Sequence, residues 1–287
     1  MRDFSADHRW LSLNTATVRK QGDLLQIIEA CARHGIRAID PWRDQVAAVG
    51  LGRAVRAVRE TGLELSGYCR GGMFTSDASR RTEVRDDNRR CVDEAKALGA
   101  PCIVLVVGGL PQYSRPGSAA SKDIAAARSQ VEDAIAEMME YARGAKLPLA
   151  IEPLHPVYAG DRACVNTAKH ALDICDRLDP GRTGALGVAL DVYHIWWDPE
   201  VLAQIARAGK DRLLAFHVCD WLVPTRDILN DRGMMGDGVI DIKSFRWAVE
   251  AEGFSGYSEI EIFSDTWWTK PMDEVVRTCI ERHRTVV

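Results

Sequence analysis

The chain has 287 residues, 46% hydrophobic and 27% charged, which is ample for a large core and excludes a disordered, collagenous or coiled-coil protein. Its 37 basic and 41 acidic residues leave a net charge of −4 with no long basic run, so the footprint of a nucleic-acid binder is missing and the expected partner is a small polar molecule. No apolar run approaches the roughly 18 residues of a membrane span, and Met1 to Trp10 lacks the apolar core of a signal peptide, which predicts a cytoplasmic protein with no membrane partner.

In chain order the predicted strands are Trp10–Thr15, Ile36–Pro41, Leu63–Tyr68, Cys102–Val107, Leu149–Pro153, Leu186–Val192, Leu213–Cys219 and Tyr257–Phe263. Helical runs fall between and after them, near 22–34, 47–61, 83–98, 121–145, 166–178, 198–208, 241–252 and 272–284. The clearest is the fourth, where Ile135, Met138 and Met139 mark an amphipathic face. Gly35, Gly62, Gly99 and Gly253 each stand just past a helical run, the position where a left-handed residue ends a helix. Asp241, before an apolar periodic run, reads as an N-cap.

Eight strands alternating with eight helices fit either an open doubly wound sheet or a closed barrel. The first strand runs into Asn14-Thr15-Ala16-Thr17 rather than a Gly-rich phosphate fingerprint, and there is no linker or shift in composition. These features favour an α/β fold in which residues 1–287 form a single-domain (β/α)8 TIM barrel. Two long connections, Arg70 to Arg81 and Asp220 to Ile240, then follow strands and lie on the face where barrel active sites form. The eight cysteines form no C-x-x-C pair and read as small buried hydrophobes.

Chemistry-bearing residues recur at the ends of the last four strands: Ile151-Glu152-Pro153-Leu154-His155, Leu190-Asp191-Val192-Tyr193-His194, Phe216-His217-Val218-Cys219-Asp220 and Glu259-Ile260-Glu261-Ile262-Phe263. A charge inside an apolar strand costs several kcal/mol unless it is paired or metal-bound. One such residue reads as a core ion pair, but four on consecutive strand ends converge on one barrel mouth. Glu152, Asp191, His217 and Glu261 there form an oxygen-rich set suited to Mn²⁺, Mg²⁺ or Co²⁺. Glu259 and Glu261 share one face of their strand, so alternation does not choose between them. His194 and His155, each three residues past a strand-end carboxylate, are candidates to hold a substrate oxygen or the metal's outer shell. In the Asp220–Ile240 loop, Gly236-Asp237-Gly238 is a turn signal, and Arg232 is placed over the mouth to bind substrate hydroxyls or a carboxylate. Trp42, Trp196, Trp197, Trp221, Trp267 and Trp268, at strand ends or in the loops that follow, are candidate walls for a sugar, Trp42 and Trp221 foremost.

These motifs, with Gly236-Asp237-Gly238 and Ile240-Asp241, resemble the xylose-isomerase-like superfamily of sugar isomerases and epimerases over about 148–268. The N-terminal half agrees in rhythm only, with Ile39-Asp40-Pro41-Trp42 a weaker echo. The resemblance implies a divalent metal, foremost Mn²⁺, held by Glu152, Asp191, His217 and Glu261, and it selects Glu261 over Glu259. It implies that His194 contacts substrate oxygens, that Glu152 and Glu261 exchange protons with the carbon beside a carbonyl, and that the chain is a homodimer or homotetramer. Its ketose 3-epimerases carry a further Glu where this chain has Tyr158, and an Arg soon after the strand-seven His, for which Arg226 and Arg232 are loosely placed candidates. The expected activity is isomerisation or epimerisation of a non-phosphorylated ketose or keto-sugar through a cis-enediolate. The alternatives are a lyase, dehydratase or hydrolase acting on inososes or 3-oxo-glycosides, and a non-catalytic sugar-binding barrel. A DNA-repair endonuclease of the same superfamily would need more His ligands than the three placed near strand ends.

Overall fold

The computed structural model describes residues 1–111 and 121–287. Nine parallel strands make one sheet: β1 (Leu11–Asn14), β2 (Ala38–Asp40), β3 (Glu64–Leu65), β4 (Cys69–Gly72), β5 (Ile103–Val106), β6 (Leu149–Ile151), β7 (Leu186–Asp191), β8 (Leu213–Val218) and, last in the chain, β11 (Ser258–Ile260). A two-stranded antiparallel pair, β9 (Asp220–Trp221) and β10 (Arg232–Gly233), sits in the loop after β8. The order β3-β2-β1-β11-β8-β7-β6-β5-β4 runs round a barrel, and a bridge between Trp42 and Cys69 joins its two ends.

The expected third strand, Leu63–Tyr68, is two pieces. β3 pairs with β2 and β4 pairs with β5, so one stave of the barrel is shared between them. Between the pieces, Gly67 packs so closely on Asp40 that an added Cβ would lie 2.4 Å from its Oδ2. A regular strand with a side chain there would displace the carboxylate.

Helices cover the outside: α1 (Leu24–Arg33), α2 (Arg43–Val49), α3 (Leu51–Thr61), α4 (Arg81–Leu98), α5 (Ile124–Ala145), α6 (Ala168–Leu178), α7 (Val192–Ile195), α8 (Val201–Arg212), α9 (Ile242–Ala251) and α10 (Met272–Thr285). The helical run expected near 47–61 is broken at Gly50 into α2 and α3. In α5, Val131, Ile135, Met138, Met139 and Ala142 are buried against the barrel, the stripe its periodicity predicts. Gly35, Gly62, Gly99 and Gly253 all have positive φ just past a helix, and the Asp241 carboxylate caps α9 by accepting from Ser244 N–H at 3.2 Å. All eight cysteines are free and buried. With helices outside and packed side chains within, most strand residues are buried, and the ladder's C-terminal ends gather at one mouth.

Candidate metal centre

The four residues singled out at the strand ends meet. One donor atom from each of Glu152, Asp191, His217 and Glu261 lies within 4.8 Å of the others, and all four residues are at most 4% exposed. Glu152 and Glu261 stand one step beyond β6 and β11, where each backbone N–H still continues the ladder, to Leu105 O at 3.1 Å and Val218 O at 3.2 Å. His217 is in register with Asp191 on one side and Glu259 on the other, one layer deeper than Glu261. The two glutamates of the last strand therefore divide by depth. Glu261 faces the mouth cluster, and Glu259 stands behind the imidazole.

His217 links the two layers. Its Nδ1 is 3.4 Å from Glu152 Oε1 and 3.7 Å from Glu261 Oε2, while its Nε2 is 3.4 Å from Glu259 Oε1. Glu259 is held by Asn14 Nδ2–H at 2.8 Å and Ser66 O–H at 2.7 Å. Asp40, fully buried beside it, accepts from Cys69 N–H at 2.8 Å, and burial together with the Glu259 charge pushes its carboxyl far above the usual range. Asp40, His217 and Glu259 thus make a second acidic layer beneath the first.

The residues fit a divalent cation. Glu152 Oε1 and His217 Nδ1 are buried without any hydrogen-bond partner, and the donors are three carboxylates and one imidazole. His217 Nε2 is likewise without a hydrogen bond, but Glu259 stands 3.4 Å from it, on the side from which a carboxylate orients a metal-binding imidazole. Burial, then the neighbouring Glu261 charge, pushes Glu152 up to about 7 against the pull of His217. Burial acts on Asp191 too, but Arg232, His194 and His217 outweigh it and hold that carboxyl down at about 2.

Asp191 also explains the D-x-x-H spacing. Its side chain caps α7 by accepting from Tyr193 N–H at 2.9 Å, and the single turn brings His194 Nε2 back to 3.7 Å from Asp191 Oδ2. Burial holds His194 down at about 3, so it is a neutral imidazole.

Arg232 lies deeper than a residue poised over the mouth. Its Nη1 donates to Asp191 Oδ2 at 2.6 Å and to Glu261 Oε2 at 3.1 Å, its Nη2 is 3.2 Å from His194 Nε2, and its guanidinium lies over the Tyr193 ring. It ties two of the four carboxylate and imidazole donors together while lining the same small cavity. The turn that delivers it is built on Asp220, whose carboxylate accepts from the N–H groups of Trp221, Gly236, Gly238 and Ile240 at 2.9–3.0 Å. At Gly238 a Cβ would lie 2.2 Å from Trp221 O, so the Gly-Asp-Gly turn closes only with glycine there.

The cavity over the cluster holds about 40 Å³ and is bordered by Glu152, Glu261, His194, Arg232, Trp42 and Phe263, among others. It adjoins an outer mouth of about 810 Å³, with Trp42, Arg70, Arg162, Leu229 and Phe263 bordering both. His155 and Trp221 do not border the inner cavity. They stack on each other at 5.2 Å, with Trp197 edge-on to His155 and Tyr193 4.6 Å from Trp221, an aromatic cluster to one side. Trp268 lines the outer mouth. Tyr158, at the position of the epimerases' extra Glu, donates its hydroxyl to Ile228 O at 2.7 Å; Tyr193 does so at 2.8 Å, and together they pin the loop before β10 over the site. Arg70, Arg162 and the Asp40 layer were not assigned to the site by sequence reasoning. Asp40 ends β2, the one signal that could have marked it, whereas Arg70 lies inside the short strand β4.

A closed parallel barrel with a carboxylate–imidazole cluster at the C-terminal ends of its strands defines a TIM barrel with a candidate metal site. The chain belongs to the xylose isomerase-like TIM barrel family, whose model matches residues 28–283. It is 22% identical to an inosose isomerase of Bacillus licheniformis over 96% of this chain and 97% of that one. Among solved structures it resembles the protein SMc04130 of Sinorhizobium meliloti 1021, with TM-score 0.90 and 59% identity over 96% of this chain and 98% of that one. It also resembles the IOLI protein with a bound zinc atom, with TM-score 0.79 and 19% identity over 95% of each chain.

Proposed function

We propose that this chain is a divalent-metal-dependent sugar isomerase or epimerase that moves a proton at the carbon beside a carbonyl of a non-phosphorylated ketose or keto-sugar. Glu152, Asp191, His217 and Glu261 hold the ion, with Mn²⁺ the expected one. The observation that carries the reading is the convergence of these four donors, with Glu152 Oε1 and His217 Nδ1 left without partners. Likeness to an inosose isomerase across nearly the whole chain supports sugar isomerase chemistry.

The bound ion would polarise a carbonyl and acidify the neighbouring C–H. Glu152 and Glu261 supply the proton transfers. They come from β6 and β11, on either side of β7 and β8, and both reach the same imidazole nitrogen. One removes the proton to give a cis-enediolate, and the other returns one. Return at the same carbon from the opposite face gives an epimer, and return at the neighbouring carbon gives aldose–ketose isomerisation. His194 borders the cavity as a hydrogen-bonding partner for a substrate oxygen, and Arg232 keeps Asp191 and Glu261 in place.

The test is deuterium uptake followed by NMR in D₂O with Mn²⁺, across ketoses, inososes and 3-oxo-glucosides, for the wild type and Glu261→Gln. Uptake beside the carbonyl that disappears in the variant is the expected result, and the labelled product separates epimer, isomer and elimination product. A metal-loaded protein that labels no member of the panel would overturn the reading.

A further inference from the structure

The outer mouth is rich in cations, and most are spent. Arg19 pairs with Asp44, Lys20 with Asp265 at 2.9 Å, and Arg43 with Asp87 at 2.6 Å and Glu94 at 2.7 Å. Arg70 and Arg162 differ. Both border the inner cavity beside Glu152 and Glu261, both border the outer mouth, and neither side chain makes an ion pair or hydrogen bond among the described residues. Each is only half-buried, so its charge is kept at the cavity wall. Burial above all, then the nearby Arg162 and Arg43 charges, pull the Arg70 pKa below its usual value, against opposing pulls from Cys69 and Asp44. Two guanidinium groups that repel each other beside a cavity are unfavourable until an anion joins them.

We propose that Arg70 and Arg162 form a carboxylate subsite, so that the substrate of the reaction proposed above is a keto-sugar acid. This rests on that reading for the carbonyl end of the molecule. A small inner cavity shared by the metal cluster and both arginines places the anion a few carbons from the reacting carbonyl.

The neighbouring backbone argues for a carboxylate over a phosphate. Phosphate cradles are built from free backbone N–H groups. Here Met73, Phe74, Gly108 and Leu110, in the loops after β4 and β5, donate theirs to Val106 O, Val107 O, Arg162 O and Gly160 O. What remains is two guanidinium forks, the geometry that matches a planar carboxylate.

The test is calorimetric binding to the Mn²⁺-loaded full chain of three probes: 5-keto-D-gluconate, D-fructose and D-fructose 6-phosphate. For the wild type, the keto acid should bind roughly 10- to 100-fold more tightly than fructose, the range expected for charge-assisted hydrogen bonds. In Arg70→Met and Arg162→Met that advantage, taken as the ratio of acid to fructose affinity in the same variant, should fall towards one, while the Lys variants retain part of it. Equal binding of acid and neutral ketose by the wild type, or no binding of the acid, overturns the proposal even if no variant folds. An advantage that survives in the Met variants also overturns it. A phosphate preference abolished by the same substitutions assigns the subsite to phosphate and overturns the carboxylate. Deuterium exchange on the same probes keeps the two readings apart. A binding preference without exchange leaves the subsite standing and removes the reaction, whereas exchange into fructose without an acid preference does the reverse.

Discussion

Asp220→Asn is nearly isosteric, yet the structure makes it costly. Oδ1 accepts from Trp221 N–H at 2.9 Å and Ile240 N–H at 3.0 Å, and Oδ2 accepts from Gly236 and Gly238 N–H, both at 2.9 Å. However an amide is turned, its NH₂ faces two backbone donors, so two charge-assisted bonds are lost at about 1.5–3 kcal/mol each, or roughly 3–6 kcal/mol together. An unfolding entropy of about 2.1 cal/mol/K per residue gives roughly 600 cal/mol/K for this chain, so Tm should fall by roughly 5–10 °C. The damage should be local as well as global, because β10 pairs with β9 at Asp220 and Trp221 and carries Arg232. Calorimetric melting together with amide hydrogen exchange checks this, with Gly236, Gly238 and Ile240 exchanging faster in the variant. A Tm within about 2 °C of wild type, with unchanged exchange at those amides, would show that the carboxylate is not what builds the turn.

Two further outcomes follow from buried groups. Glu259→Gln keeps a hydrogen-bonding shape behind His217 Nε2 but removes the charge, and metal affinity measured by chelator competition should weaken roughly 10- to 100-fold; a change under about twofold refutes Glu259 as the orienting partner. His283 is fully buried, stacks on Phe4 at 4.5 Å, and has neither ring nitrogen hydrogen-bonded. Burial first, then His8, Arg246 and Arg2, hold its pKa down at about 3 against a weak opposing pull from Asp7. The unfolded chain takes up this proton near pH 6.5 and the folded chain does not until about 3, so stability falls as pH drops through that window. His283→Leu should therefore lose roughly 2 kcal/mol less than wild type between pH 6.5 and 4.5 in urea melts, and parallel losses would refute it.

The barrel and the convergence of the four side chains were legible because each is a polar or charged residue set in an apolar strand. Asp191, His217 and Glu261 stand out against Leu190, Phe216 and Ile260 whatever the loops do. The depth of Glu259 was not legible, because a period of two gives a face but no layer. Arg232 looked like a mouth residue because it lies in a long loop; its inward course depends on Asp220 gathering amides 16 to 20 residues further along. The broken third stave was hidden for a similar reason. At its break Gly67 meets Asp40 at the end of β2, a contact between residues distant in sequence that no local pattern records.

The imidazole of His217 has a consequence for how the molecule is put together. All four proposed ligands come from the second half of the chain, so that half looks self-sufficient. Yet the carboxylate behind the ring is held by Asn14 and Ser66, and Asp40 sits beside it. The first half supplies none of the four proposed ligands, but it supplies the wall behind the ring. The two halves of this barrel are therefore not interchangeable modules. A C-terminal half grafted onto another N-terminal half would carry all four residues of the cluster and still lack those that hold the carboxylate behind His217.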